Sequence, residues 1–281
     1  MRASDALARA VMRLRDAGVP GAAGDARRLL AHAMDLDPAR LTLHLGDTLT
    51  EAQLARFATL TAARARFQPV AQLVGGRDFW GRRFTVTPDV LDPRPETETL
   101  IAAALEKPFA DVLDLGTGSG AILLTLLAER GSAQGLGVDL SPAALDVAQA
   151  NAQALGITHA TFLPSDWFAA VTGRFDLIVS NPPYISETEL AALSRDVRDW
   201  EPRMALVPAQ DDGTGLAAYR HICAQAPRHL RPGGWLIVEI GAGQGTDVAQ
   251  LFVQAGFLHV RIRKDFDERD RVIEGQWQEP A

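Results

Sequence analysis

A run of polar and rigid residues, Asn181-Pro182-Pro183-Tyr184, follows the apolar stretch Phe175-Asp176-Leu177-Ile178-Val179-Ser180. A strand that ends this way puts an amide and two imino acids at its mouth. Pro182 and Pro183 have no N–H, so nearby carbonyls can face a pocket without a competing donor. The Asn181 oxygen and a neighbouring backbone carbonyl can together accept both hydrogens of a planar –NH2 group, and Tyr184 can wall or stack on the plane that carries it. Such a nitrogen is a weak nucleophile because its lone pair is delocalised. Hydrogen bonds to its two protons favour the charge that develops during attack and aim the lone pair. Asn181, Pro182 and Tyr184 are therefore the candidate catalytic residues. With Pro183 they form the expected substrate site for an amide or exocyclic amine.

A second cluster lies upstream. Asp114-Leu115-Gly116-Thr117-Gly118-Ser119-Gly120 sits where a strand turns into a helix. Gly116, Gly118 and Gly120 allow a tight turn and close approach of a ligand, and the next helix start offers free N–H groups. The spacing alone also fits a dinucleotide fingerprint. Asp139 ends the next strand, 19 residues after Gly120, where an acid can bind ribose hydroxyls or simply cap the following helix. Asp166 and Trp167 follow the strand after that, placed to meet an adenine amino group and ring, with core packing the alternative for Trp167. In this order the residues suggest an adenosine-containing cofactor. Asn181, across the expected switch point, counts with the cofactor site as well as the acceptor site.

The elements that must position these residues alternate. Residues 111–116, 135–140, 160–164, 175–181 and 234–241 read as short strands rich in Val, Ile and Leu. Helical patterns fill 120–130, 142–155, 186–196 and 214–230. This predicts an α/β fold, a mainly parallel sheet covered by helices on both faces. Residues 257–265 and 269–277 pair as a terminal hairpin. Before the sheet, helical spacings at 4–17, 25–34 and 50–65, the last opened by Thr50 and Gln53 as a capping box, predict a small helical bundle over residues 1–67. Residues 68–92 read as a β-hairpin linker broken at Gly75-Gly76, and 93–281 as the catalytic domain. The bundle carries no catalytic pattern and is either a structural cap or a docking domain.

Composition narrows the class. The 281 residues carry a net charge of -7, which argues against a broadly basic nucleic-acid surface. Residues 1–75 hold ten Arg against seven acids, so a polyanion contact would favour that part. One cysteine, Cys223, rules out an intrachain disulfide and a cysteine metal cage. Cys223 and the six His read as structural or solvent-exposed, and no metal is expected. The first twenty residues lack a signal-peptide core, and no apolar run reaches the ~18 residues of a membrane helix. A cytoplasmic protein is expected.

The glycine loop, Asp139, Ser165-Asp166-Trp167-Phe168 and Asn181–Tyr184 together resemble the seven-stranded, Rossmann-like class I S-adenosylmethionine-dependent methyltransferases. Residues 77–98 (RDFWGRRFTVTPDVLDPRPETE) and 267–277 (DERDRVIEGQW) narrow the resemblance to the PrmC/HemK family, protein-(glutamine-N5) methyltransferases that act on peptide chain release factors. The resemblance spans nearly the whole chain, helical N-terminal domain and hairpin included. It implies that Gly116, Thr117, Gly118, Ser119 and Gly120 cradle the methionine part of the cofactor. It puts Asp139 on the ribose and Asp166 and Trp167 on the adenine, with Asn181, Pro182 and Tyr184 holding the glutamine amide of a Gly-Gly-Gln loop. Phe79, Trp80, Arg94, Pro95, Glu96 and Thr97 would cover the pocket. Hairpin packing is the alternative for Phe79 and Trp80, and an internal ion pair or helix start for Arg94 and Glu96. Asp92 stands where the family more often has an aliphatic residue, which puts the geometry of that cover in question. Other readings are an adenine-N6 methyltransferase acting on DNA or RNA, which shares Asn-Pro-Pro-Tyr, and a non-catalytic partner-binding protein that kept the fold.

Overall fold

The computed structural model describes residues 1–279, which divide into two compact units: 1–76 with 194–200, and 77–193 with 201–279. In the smaller unit, helices Ala3–Asp16, Ala22–Ala33 and Glu51–Arg64 enclose a core of Leu14, Leu29, Leu30, Leu41 and Phe57. Thr50 and Gln53 form the expected reciprocal cap, with N···O distances of 3.2 and 3.0 Å. The second helix begins three residues before the expected start, which puts Asp25 in its first turn as a buried ion-pair partner. Its Oδ2 accepts from Arg64 Nε at 2.7 Å. Residues 194–200 belong here through Trp200, whose indole donates to the Arg66 carbonyl and whose own carbonyl accepts from Gln72.

The linker differs from the expected hairpin. Val70–Leu73 is a helical turn, and Gly75 with φ +73° ends it. Glycine past a helix end takes the left-handed conformation without penalty, and that role mimics a hairpin turn in sequence. The hairpin lies further on: β1 (Arg77–Phe79) pairs with β2 (Arg82–Phe84) across Trp80-Gly81, both at positive φ as a two-residue turn requires. The expected helix over 186–196 is also broken, into Glu187–Leu190 and Arg195–Arg198, with Ser194 extended between them.

The larger unit is built on a seven-stranded sheet of β3 (Asp111–Leu115), β4 (Gln134–Asp139), β5 (Ala160–Pro164), β6 (Phe175–Ser180), β7 (Leu230–Glu239), β8 (Leu258–Lys264) and β9 (Asp270–Gln276). Its order is β5-β4-β3-β6-β7-β9-β8. The first five strands are parallel, and the terminal hairpin adds antiparallel β9 and β8. Alternate strand residues feed two cores. Val112, Leu177, Val179 and Ile237 pack with the helices Glu98–Leu105 and Ala121–Glu129. Leu113, Leu115, Ile178 and Val238 pack with Ala217–His229 and Gly245–Gln254. The chain runs outward from β3 through β4 to β5, then returns to β6 on the other side of β3. The switch point therefore lies between β3 and β6, at their C-terminal ends, where open α/β sheets bind ligands.

Candidate active site

β3 delivers the glycine loop to that switch point. Gly116, Gly118 and Gly120 all have positive φ. A side chain at Gly118 would be strained but would meet nothing within 4 Å, so open space lies in front of the loop. At Gly120 a Cβ would come within 2.9 Å of Leu124, so this glycine seats the helix Ala121–Glu129 instead. The loop is tied down from its own neighbourhood. Gly116 and Thr117 N–H groups donate to the Val138 carbonyl at 2.8 and 2.9 Å. Asp139 accepts from Gly118 N–H through one carboxylate oxygen and from Ser141 N–H through the other, both at 2.9 Å. Asn151, buried on the helix Pro142–Leu155, donates to the Ser119 carbonyl at 2.9 Å and exchanges hydrogen bonds with the Thr85 backbone.

β6 delivers the second loop. Ser180 donates to the Leu115 carbonyl at 2.7 Å, locking the two strand ends together. Asn181 Nδ2 donates to Thr97 Oγ1 at 3.4 Å, and Thr97 donates to Glu239 at 2.6 Å. The Tyr184 carbonyl accepts from Gln244 Nε2 at 3.0 Å, and burial pushes the Tyr184 phenol up to about 12. Burial also pushes the carboxyls of Asp114 and Glu239 up to about 7.

The two loops open on adjoining cavities. The larger, of about 830 Å3, is walled by Gly116, Asp139, Asp166, Trp167, Asn181 and Pro183, among others. The smaller, of about 90 Å3, is walled by Gly116, Thr117, Gly118, Ser119, Asp139 and Asn181 with Arg94 and Thr97. Trp167 is held at φ +50° by Ser165, whose hydroxyl donates to the Trp167 carbonyl at 2.8 Å. Gly120, Pro182 and Tyr184 do not reach the walls of these two cavities. Pro182 is buried, and the Tyr184 ring packs against the second core. The open face of the glycine loop and the carboxylates of Asp139 and Asp166 beside Trp167 fit an elongated adenosine ligand with a charged amino-acid end.

The expected cover is only partly there. Phe79 is buried in the first core and Trp80 packs against it, so both are hairpin packing. Arg94 forms its ion pair with Glu201, at 2.6 and 2.7 Å, and not with Glu96. Asp92 is buried and paired with Arg77 at 2.9 Å, so the departure from the family pattern is accommodated by a local partner. Sequence reasoning missed Asp114, Asn151, Glu239 and Gln244. For Asp114 and Glu239 a signal existed: each is an acid directly after apolar strand residues, Val112-Leu113 before Asp114 and Leu236-Ile237-Val238 before Glu239. Nothing in sequence marked Asn151 or Gln244.

Two family models match, the PrmC N-terminal domain over residues 5–75 and the methyltransferase small domain over residues 92–196. A release factor glutamine methyltransferase of Cereibacter sphaeroides is 61% identical over 97% of this chain and 98% of its own length. One from Rhodospirillum rubrum is 44% identical over 95% of this chain and 82% of its own. Among solved structures, a methyltransferase from Pyrococcus furiosus superposes with a TM-score of 0.56 at 14% identity, covering 78% of this chain and 99% of that one. The 16S rRNA N2 G1207 methyltransferase of Thermus thermophilus, in complex with AdoMet and guanosine, gives 0.52 at 23% identity over 72% of this chain and 50% of that one. These two share the fold.

Proposed function

The chain belongs to the release factor glutamine methyltransferase family, and from that premise we propose that it transfers a methyl group from S-adenosylmethionine to a glutamine of peptide chain release factors. The acceptor atom is the side-chain amide nitrogen, N5, of the glutamine in the Gly-Gly-Gln loop. One observation carries this reading: Asn181 and the glycine loop wall the same cavities across the switch point. When bound, the cofactor supplies an electrophilic methyl group on a sulfonium. Gly116 to Ser119 would hold its amino-acid end, Asp139 its ribose hydroxyls, and Asp166 and Trp167 its adenine. Asn181 Oδ1 and a backbone carbonyl of its loop accept the hydrogens of the substrate amide and aim its lone pair. The same contacts favour the positive charge that grows on nitrogen. Pro183 and Tyr184 hold that loop rigid, Tyr184 through its packed ring and its carbonyl bond to Gln244.

Glutamine alone offers few contacts, so specificity comes from surface beyond the pocket. Residues 1–67, richer in Arg than in acids, dock the body of the release factor and bring its loop to Asn181. Such a substrate puts the reaction in the cytoplasm, where translation ends. Among the described residues no helix is long and apolar enough to cross a membrane. Incubation with methyl-labelled cofactor and either release factor or nucleic acid tests the reading. Label on the release factor glutamine is expected. Label on nucleic acid would make the acceptor an exocyclic base amine, and no label on either would leave the partner-binding alternative.

A further inference from the structure

The amide of Asn181 can present either its oxygen or its –NH2 to the cavity, and only the oxygen can accept a hydrogen from a substrate amide. Two residues far away in sequence bear on which end faces out. Thr97, at the end of the turn Pro95–Thr97, is buried, and so is Glu239, the last residue of β7. Ser180 is in register with Val238, so Glu239 stands beside Asn181 at the strand ends. Thr97 Oγ1 gives its one proton to Glu239 Oε2 at 2.6 Å. With that proton committed, the hydroxyl can only accept on its other side, where Asn181 Nδ2 lies at 3.4 Å. Turning the amide over would set two acceptors face to face. The contact is long, and its importance lies in polarity more than in strength.

We propose that Thr97 and Glu239 are positioning residues for methyl transfer, a carboxylate–hydroxyl–amide relay that holds Asn181 with Nδ2 inward and Oδ1 toward the acceptor amide. The relay rests on the functional reading above and adds to it the groups that make Asn181 an acceptor. It also carries a pH signature. Glu239 is fully buried, and its carboxyl is pushed up to about 7 by burial, against the Thr97 hydrogen bond and the charge of Arg271, which pull it down. The other groups facing it are Glu96 and Arg94 on the turn before the helix Glu98–Leu105, and Tyr184 after β6. Tyr219 also faces it, with a hydroxyl that donates to the Glu239 carbonyl at 2.9 Å. Once Glu239 is protonated, the carboxyl can donate to Thr97, and Thr97 is free to donate to Asn181 Oδ1. The bias is then lost. The raised carboxyl therefore gives a kcat that climbs as pH rises through about 7.

The test uses the full-length protein with intact release factor and saturating labelled cofactor. Thr97→Val should lower kcat about tenfold, equivalent to one lost transition-state contact, while calorimetric cofactor affinity stays within about twofold of wild type. Thr97→Ser, which restores the hydroxyl, should recover most of the rate. The near-isosteric Glu239→Gln should flatten the rise of kcat around pH 7, and it decides the matter alone if Thr97→Val does not fold. Because Thr97 also walls the smaller cavity, a parallel fall of affinity and kcat would assign it to the cofactor and overturn the relay. So would an unchanged kcat in Thr97→Val, or a pH rise that persists in Glu239→Gln. A wild-type protein that labels no release factor overturns the functional reading and the relay together. An active wild type with unaffected variants overturns the relay alone.

Discussion

The glycine loop and the Asn181 loop end neighbouring strands and face the same space, yet they are held by different means. The glycine loop is fixed from nearby by backbone geometry, by the Val138 carbonyl, and by Asp139 at the end of the adjacent strand. The Asn181 loop depends on side chains brought from distant elements: Thr97 before the first helix of the larger unit, Glu239 at the end of β7, and Gln244 just after it. The first arrangement suits a ligand of constant shape, which a rigid backbone cradle can match. The second suits a reacting group, whose donor and acceptor pattern must be set by side chains of chosen polarity. The buried acids reflect the same division. Asp114 lies under the glycine loop, its Oδ2 taking a 2.7 Å hydrogen bond from Thr97's counterpart there, Thr117. Glu239 lies behind Asn181.

Several substitutions sharpen this comparison. The largest effect concerns how little of the substrate the Asn181 loop can hold. With the full-length protein, kcat/KM for intact release factor should exceed that for a short Gly-Gly-Gln peptide by roughly 100-fold or more, since remote contacts position the reacting amide. Equal values in a steady-state assay would remove the docking role of residues 1–67. On the donor side, Gly120→Val places a branched side chain at φ +78° against Leu124. Cofactor affinity measured by calorimetry should fall about tenfold, with a stability loss of roughly 1–3 kcal/mol. On the acceptor side, Gln244→Ala releases the Tyr184 carbonyl, and kcat should fall roughly threefold to tenfold, the weight of one hydrogen bond. Cofactor affinity should hold, and a change in affinity without one in kcat would place Tyr184 with the donor.

The smallest effect is on stability. The Asp114 carboxyl is raised from 3.8 to about 7 by burial, so the folded protein holds a proton that the unfolded chain releases. Its contribution is fully present below about pH 4 and is lost as pH rises through about 7. Asp114→Asn, which mimics the protonated form, should raise Tm by a few degrees at pH 8 and far less at pH 4. A thermal scan showing the same difference at both values would remove this account of Asp114.

How far each region could be read beforehand follows from the same contrast. The strands, their order along the chain, the glycine loop and Asp139 announce themselves through local pattern, because hydrophobic period and glycine spacing are local properties. The capping box at Thr50 and Gln53 is another local signature, and it forms as read. Gly75 misleads because one glycine conformation serves both a helix end and a hairpin turn. The break at Ser194 is hidden because residues 194–200 leave the larger unit for the smaller one, a choice made by Trp200 and its distant partners. Thr97, Glu239 and Gln244 acquire meaning only when the fold brings them behind Asn181. Arg94 likewise finds Glu201 across more than a hundred residues.

The division of labour between the two loops is tested most directly by measuring cofactor affinity and turnover side by side in Asn181→Ala and Asp139→Ala. Calorimetry would give the cofactor Kd, and label transfer to intact release factor at saturating cofactor would give kcat. Asn181→Ala should lower kcat by roughly 100- to 1,000-fold, the scale of a removed transition-state donor or acceptor, with Kd within about twofold. Asp139→Ala should raise Kd by about tenfold or more, since it removes charge-assisted hydrogen bonds, with most of kcat kept. If Kd and kcat move together in both variants, the two loops do not divide donor from acceptor, and the assignment of Asn181 to the glutamine amide is wrong.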